Sequence, residues 1–139
     1  MVEAKLKWSG GIRFEGVSLF GLPIATDGSI EVGGEEKGYK PTELVLFGLA
    51  GCTGIDVVTI LKKMHQELTA VEIEVKGYQP EEYPKPFNKI EIKYIFRGKK
   101  LDKNKIEQAI KLSEGKYCSV SQSLNGTAQI SFSYNIYNE

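Results

Sequence analysis

The chain has 139 residues, a length that suits one domain able to bury about two thirds of its unfolded surface. Lys and Arg number 18 and Asp and Glu number 18, so the formal net charge is zero. This argues against a general nucleic-acid binder, because phosphate binding needs surplus positive charge. With 41% hydrophobic and 26% charged residues and no low-complexity segment, disorder is excluded as the main state.

In chain order, residues 1–40 read as a meander of short strands. The expected strands are 3–8, then 12–15 and 17–24, with a turn at Ser9-Gly10-Gly11, a break at Gly16 and a stop at Asp27-Gly28. Residues 31–40 (EVGGEEKGYK) read as a loop. Pro41 then opens a helix predicted over 42–66, with Pro in the first turn and acid beside it. From Leu44 to Leu61 its one charged residue is Asp56, and apolar residues occupy every side. Such a helix must be surrounded by protein or lipid. The flanking segments read as amphipathic soluble strands and no second span exists, so protein is expected. One small sheet covers one side, and a second copy of the chain is the simplest cover for the other. Gly48, Gly51 and Gly54 would let its backbone approach closely.

Residues 69–79 and 88–97 each alternate and are predicted to form a hairpin across the long loop 80–87. Asp102 is placed to cap a helix running to Glu114, with Ile106, Ala109, Ile110 and Leu112 inward and Gly115 as its stop. A short helix follows from near Cys118 to Asn125-Gly126. Residues 127–137 close the chain as a period-two strand, with Ala128, Ile130, Phe132, Tyr134 and Ile136 on one face. This order predicts an α+β fold in a single domain over 1–139.

Cys52 and Cys118, 66 residues apart, are too few for the disulfide framework of a small secreted domain. The N-terminal MVEAKLKWSG alternates and carries charge, so no leader is expected and the reducing cytoplasm is the expected compartment. No glycine-rich phosphate loop is present. There is no CxxC or HxxxH spacing, so a zinc site within one chain would need scattered ligands, and no metal is expected. His65, the single histidine, lies 13 residues beyond Cys52, about 20 Å along one helix, which argues against a Cys-His hydrolase. It reads as an exposed residue of the last helical turn.

Cys52 stands among small residues (Ala50, Gly51, Thr53, Gly54) that leave room for a small substrate or another chain. An apolar setting alone raises a thiol pKa, so reactivity requires a cation nearby. The chain has two arginines, Arg13 and Arg97, and Arg13 in an early strand reads equally as a solvated residue or as that cation. Asp56, one helical turn beyond Cys52, reaches the same face and disfavours a thiolate unless paired with a cation. Cys118 falls at a helix N-terminus beside Lys116, a setting that lowers a thiol pKa. Unlike environments are what an attacking and a resolving thiol require, although two inert core cysteines fit the same residues.

Two segments carry a resemblance. PTELVLFGLAGCTGIDVVTILKKM (41–64) resembles the first-cysteine helix of the OsmC/Ohr family, and LSEGKYCSVSQSL (112–124) resembles that family's second-cysteine segment, in its OsmC-like branch. The resemblance implies an intertwined homodimer, with long central helices wrapped by antiparallel sheets. It implies a thiol peroxidase reducing organic hydroperoxides, with Cys52 and Cys118 catalytic and Arg13 binding the substrate. A dithiol reductant, lipoyl-bearing or small-molecule, would reset the disulfide. No metal, haem or flavin cofactor, nucleic acid or membrane is implied. The family places a Glu shortly before the helix; here Thr42 stands there and Glu43 follows, about 900° of helix from Cys52 and so on the opposite side. Glu43 instead favours the helix N-terminus. A small-molecule-binding or redox-sensing dimer, and a structural dimer with inert cysteines, are the alternatives.

Overall fold

The computed structural model describes all of Met1–Glu139, and the chain forms two compact units, Met1–Val45 and Leu46–Glu139. The first is built on an antiparallel meander of β1 (Lys7–Gly10), β2 (Arg13–Val17) and β3 (Pro23–Thr26). The expected turn is present, with Gly10 and Gly11 at φ 109° and 57°, the left-handed region that glycine enters without steric cost. Gly16, by contrast, does not break a strand. It lies within β2, paired with Ile24, and a Cβ there would overlap the Lys5 carbonyl oxygen. The glycine marks a close backbone approach rather than a stop.

Beyond β3, Asp27 is buried and its carboxylate accepts from the amides of Gly28 (2.8 Å), Glu35 (3.2 Å) and Lys37 (3.2 Å). These bonds organise the expected loop, which includes a 3-10 turn, Ile30–Val32, and a bridge between Thr26 and Tyr39. The Gly28 amide most of all, with those of Lys37 and Glu35, holds the Asp27 carboxyl below its usual range.

The second unit contains α1 (Pro41–Lys63) from Leu46 onward, β4 (Glu67–Tyr78), β5 (Lys89–Lys99), α2 (Lys103–Leu112), a π-helical turn (Ser113–Tyr117), α3 (Ser119–Leu124) and β6 (Gln129–Asn138). The sheet order is β4-β5-β6. The predicted hairpin forms, with β4 antiparallel to β5. The all-antiparallel expectation fails at β6, which runs parallel to β5. The chain crosses back through α2 and α3 before β6, the kind of connection parallel neighbours need.

β5 is the central strand, and Ile90, Tyr94 and Phe96 on its inner face are fully buried. They pack with Leu49, Val57 and Leu61 of α1 and Ile106, Ala109 and Ile110 of α2. Each large apolar side chain buried in this way stabilises the unit by about 1.5–3 kcal/mol before chain entropy is counted. β6 is an edge strand, so Ile130, Tyr134 and Ile136 are half-buried while Phe132 stays 38% exposed.

α1 buries one i, i+4 face, Leu49, Thr53, Val57 and Leu61. Ile55 remains 71% exposed and Val58 42%, and the faces of Gly48 and Gly51 open onto free space. By length and composition alone α1 would suffice to cross a bilayer. The helix ends earlier than expected, and His65 lies just past its last turn, exposed, with φ 60°. Asp102 caps α2 as expected, accepting from the Asn104 amide at 2.9 Å. Gly115 does not stop the following segment, because the π turn runs through it to Tyr117.

Candidate functional site

The site lies within the second unit, where α1 meets the segment that joins α2 to α3. α1 presents Cys52, Thr53 and Asp56 toward that segment: Thr53 is fully buried, and Cys52 and Asp56 are half-buried. Opposite, the Cys118 amide donates to the Ser113 carbonyl at 2.8 Å, closing the i to i+5 ring of the π turn. The extra residue this turn accommodates draws Ser113 fully inside and Glu114 partly so. Cys118 then caps α3 and is itself fully buried.

The Sγ atoms of Cys52 and Cys118 and a carboxylate oxygen of Asp56 lie within 4.8 Å of one another. Both thiols are free. Cys118 does not have the lowered pKa its helix position suggested. Burial is the largest influence and pushes its thiol up to about 12. The Ser121 amide, donating to Sγ at 3.4 Å, opposes this, while the neighbouring Cys52 and Glu114 reinforce it. Lys116, expected to contribute positive charge, instead lies over the Tyr117 ring, 5.1 Å from its centroid.

A hydroxyl and carboxylate network surrounds the sulfurs, and the sequence reading did not anticipate it. Thr53 Oγ1 lies 2.6 Å from the Tyr94 hydroxyl, 2.9 Å from Ser113 Oγ and 3.2 Å from Glu114 Oε1. Tyr94 donates to Glu114 Oε1 at 2.9 Å and Ser121 donates to Glu114 Oε2 at 3.1 Å. Ser113 donates to Asp56 Oδ2 at 2.9 Å. Every buried side-chain oxygen and nitrogen is satisfied, as such networks require. Burial, followed by the Glu114 charge against the opposing Thr53 bond, raises the Tyr94 hydroxyl pKa, so it stays a donor. The available signal was polar: Thr53 and Tyr94 occupy core-facing positions that an apolar residue would otherwise take.

Asp56 reaches the Cys52 face as its spacing suggested, but it pairs with the Ser113 hydroxyl and not with a cation. No Lys, Arg or His hydrogen-bonds into the network. Arg13 belongs to the N-terminal unit, where its Nε lies 3.3 Å from Ser9 Oγ and 3.4 Å from a Glu15 carboxylate oxygen. Glu43 stands in the first turn of α1, as the dipole argument expects. Beside Asp56 a cavity of about 410 Å³ is lined by Ile60, Lys63, Met64, Leu112 and Tyr117 among others.

Comparison with known proteins places this geometry in context. A family described as OsmC-like protein matches residues 34–133. Protein YhfA of Escherichia coli K12 is 35% identical over 97% of this chain and 98% of its own. A crystal structure of an Aquifex aeolicus VF5 protein is 35% identical, covers 100% of this chain and 98% of that one, and has a TM-score of 0.88. The organic hydroperoxide resistance protein OhrB of Bacillus subtilis shares the fold, with a TM-score of 0.65 at 21% identity over 96% of this chain and 98% of its own. Both cysteine segments lie inside the matched span, and on this ground the chain belongs to the OsmC-like family.

Proposed function

We propose that the protein is a homodimeric thiol peroxidase that reduces organic hydroperoxides in the cytoplasm. The observation that carries this reading is the meeting of Cys52 and Cys118, 66 residues apart in the chain yet with sulfurs inside 4.8 Å. Their unequal exposure supports different roles. Cys52, half-open, attacks the peroxide: its thiolate takes the distal oxygen, the O–O bond breaks, and the alcohol leaves after taking up a proton. Cys118, buried behind it, attacks the resulting sulfenic acid, forming a disulfide and releasing water. The sulfurs must close to about 2.05 Å, a side-chain movement of roughly 3 Å or less. A dithiol reductant then returns both thiols by exchange and leaves as its own disulfide.

Arg13 retains in this proposal the substrate-binding role assigned from the resemblance. The second copy covers the outward face of α1, where Ile55 and Val58 are exposed and Gly48 and Gly51 admit a close backbone. Two kinds of support converge on the peroxidase reading: the cysteine geometry within this chain, and its likeness in fold to OhrB, an organic hydroperoxide resistance protein.

The absence of a cation bonded to the thiol network favours one other reading, a redox sensor that oxidises once without efficient turnover. Reduced protein treated with excess cumene hydroperoxide and dihydrolipoamide decides between them. Sustained peroxide consumption, lost in Cys52→Ser and impaired in Arg13→Gln, supports the peroxidase. One equivalent consumed per chain supports the sensor, and no loss of thiols overturns both.

A further inference from the structure

We infer that Cys52, Asp56 and Cys118 form a binding site for a thiophilic divalent cation of the Zn²⁺ class. No CxxC or HxxxH motif announces such a site. The fold assembles it from two cysteines distant in sequence and an aspartate one helical turn from the first.

The geometry is close to what the metal needs. Three candidate donor atoms lie within 4.8 Å of one another. Tetrahedral zinc, with bonds of about 2.3 Å to sulfur and about 2.0–2.2 Å to oxygen, holds its donors roughly 3.6–3.8 Å apart. Side-chain rotations of about 1 Å therefore close the site. Cys52 and Asp56 share a helix face by their i, i+4 spacing, so a rigid element presents two of the three ligands.

The surroundings have the supporting hydrogen bonds of a metal centre. Ser113 donates to Asp56 Oδ2 at 2.9 Å, which orients the carboxylate and leaves its other oxygen to coordinate. The Ser121 amide donates to Cys118 Sγ at 3.4 Å, a bond that favours sulfur carrying negative charge. Ser113 and Ser121 are themselves buried, so these orienting groups are held in place. Glu114 adds a second carboxylate behind them. Two sulfurs and the Asp56 carboxylate thus converge with no Lys, Arg or His bonded among them, and a divalent cation supplies the missing positive charge.

Ligand type selects the metal. Two soft sulfurs disfavour Mg²⁺ and Ca²⁺, which take oxygen ligands, and favour Zn²⁺ and Co²⁺. Three protein ligands leave a fourth position, and half-exposed Cys52 and Asp56 leave that position to water. Binding is balanced by proton release: the cation replaces the thiol protons of Cys52 and Cys118, and buffer takes up both. The metal and a Cys52–Cys118 disulfide exclude one another, because oxidation to the disulfide consumes the two thiolates that the metal requires. Occupancy therefore protects Cys52 from peroxide, and this consequence alone rests on the peroxidase reading above.

The test begins with fully reduced, metal-free full-length protein titrated with Co²⁺ under anaerobic conditions. The expected result is one Co²⁺ per chain, with near-ultraviolet thiolate-to-cobalt charge transfer and the visible bands of a four-coordinate ion. Zn²⁺ should displace the cobalt and abolish both. Cys52→Ser and Cys118→Ser should each diminish the charge-transfer band, and Asp56→Asn should keep it but weaken Zn²⁺ binding at least tenfold. Calorimetry in two buffers of different ionisation heat should count the released protons. No charge-transfer band in the unaltered protein overturns the site, and so does unchanged affinity in folded Asp56→Asn. Peroxide-driven thiol loss is measured separately, with and without Zn²⁺. Cobalt bands in a protein whose metal-free thiols ignore peroxide would uphold the metal site and reject the peroxidase.

Discussion

Asp27 in the N-terminal unit and Glu114 in the C-terminal unit are both carboxylates drawn away from solvent, but they are satisfied by different donors. Asp27 accepts three backbone amides, from Gly28, Glu35 and Lys37. Glu114 accepts three side-chain hydroxyls, from Thr53, Tyr94 and Ser121. Backbone amides cannot leave without unfolding the loop that carries them, so the Asp27 cluster is a fastener. Hydroxyls rotate, and each both donates and accepts, so the Glu114 cluster is able to change its hydrogen bonds while α1 and β5 stay still. Only the second cluster borders a pair of thiols. The contrast teaches that the kind of donor, more than the presence of a buried acid, separates a structural cluster from a candidate site.

The contrast between the two clusters can be tested by mutation. The largest effect is expected for Cys52→Ser, which should reduce peroxide consumption at least a hundredfold with no change in the circular dichroism spectrum. A variant that retains turnover would remove chemistry from the hydroxyl-held side altogether. Cys118→Ser should still react with peroxide but stop at a sulfenic acid or a more oxidised Cys52, detected by intact mass after dimedone labelling.

Glu114→Ala deprives three hydroxyls of their charged acceptor, and a loss of about 2–3 kcal/mol in unfolding free energy is expected by urea denaturation. Tyr94→Phe removes a hydroxyl that bonds Thr53 and Glu114, and should cost about 1–2 kcal/mol, lowering Tm by several degrees. If both variants match the parent in stability, the network does not hold this site together.

The smallest effect is local and depends on pH. The folded-state pKa of Asp27 is lowered, so its contribution is fully present above the ordinary carboxylate value near pH 4 and is lost as pH falls through the folded value. Protection of the Gly28, Glu35 and Lys37 amides, expressed relative to their intrinsic exchange rates at each pH, should therefore fall only in acid. Asp27→Asn should quicken the same amides several-fold at neutral pH, and unchanged exchange there would show that the carboxylate does not fasten this loop.

Much of this was legible before the structure. Alternation identified β4, β5 and β6, because a half-buried strand imposes period two on its residues. The Asp102 cap and the Pro41 start were readable, since helix ends have unpaired amides that only certain residues satisfy. Both cysteine segments were recognisable as motifs. Gly16 and Gly115 were misread for one reason. Glycine permits both a break and a close approach or bulge, and its neighbours in sequence do not say which.

Most elements and both cysteine segments follow from local sequence, because propensity, capping and periodicity act over a few residues. Long-range packing instead sets β6 parallel to β5, places a π turn before Cys118 and makes burial outweigh the helix terminus at that thiol. It alone brought Thr53, Tyr94, Ser113 and Glu114 around the sulfurs. Those outcomes depend on contacts between residues 20 to 61 positions apart, where the cost of burial and its hydrogen-bond compensation are settled by packing and not by neighbouring sequence.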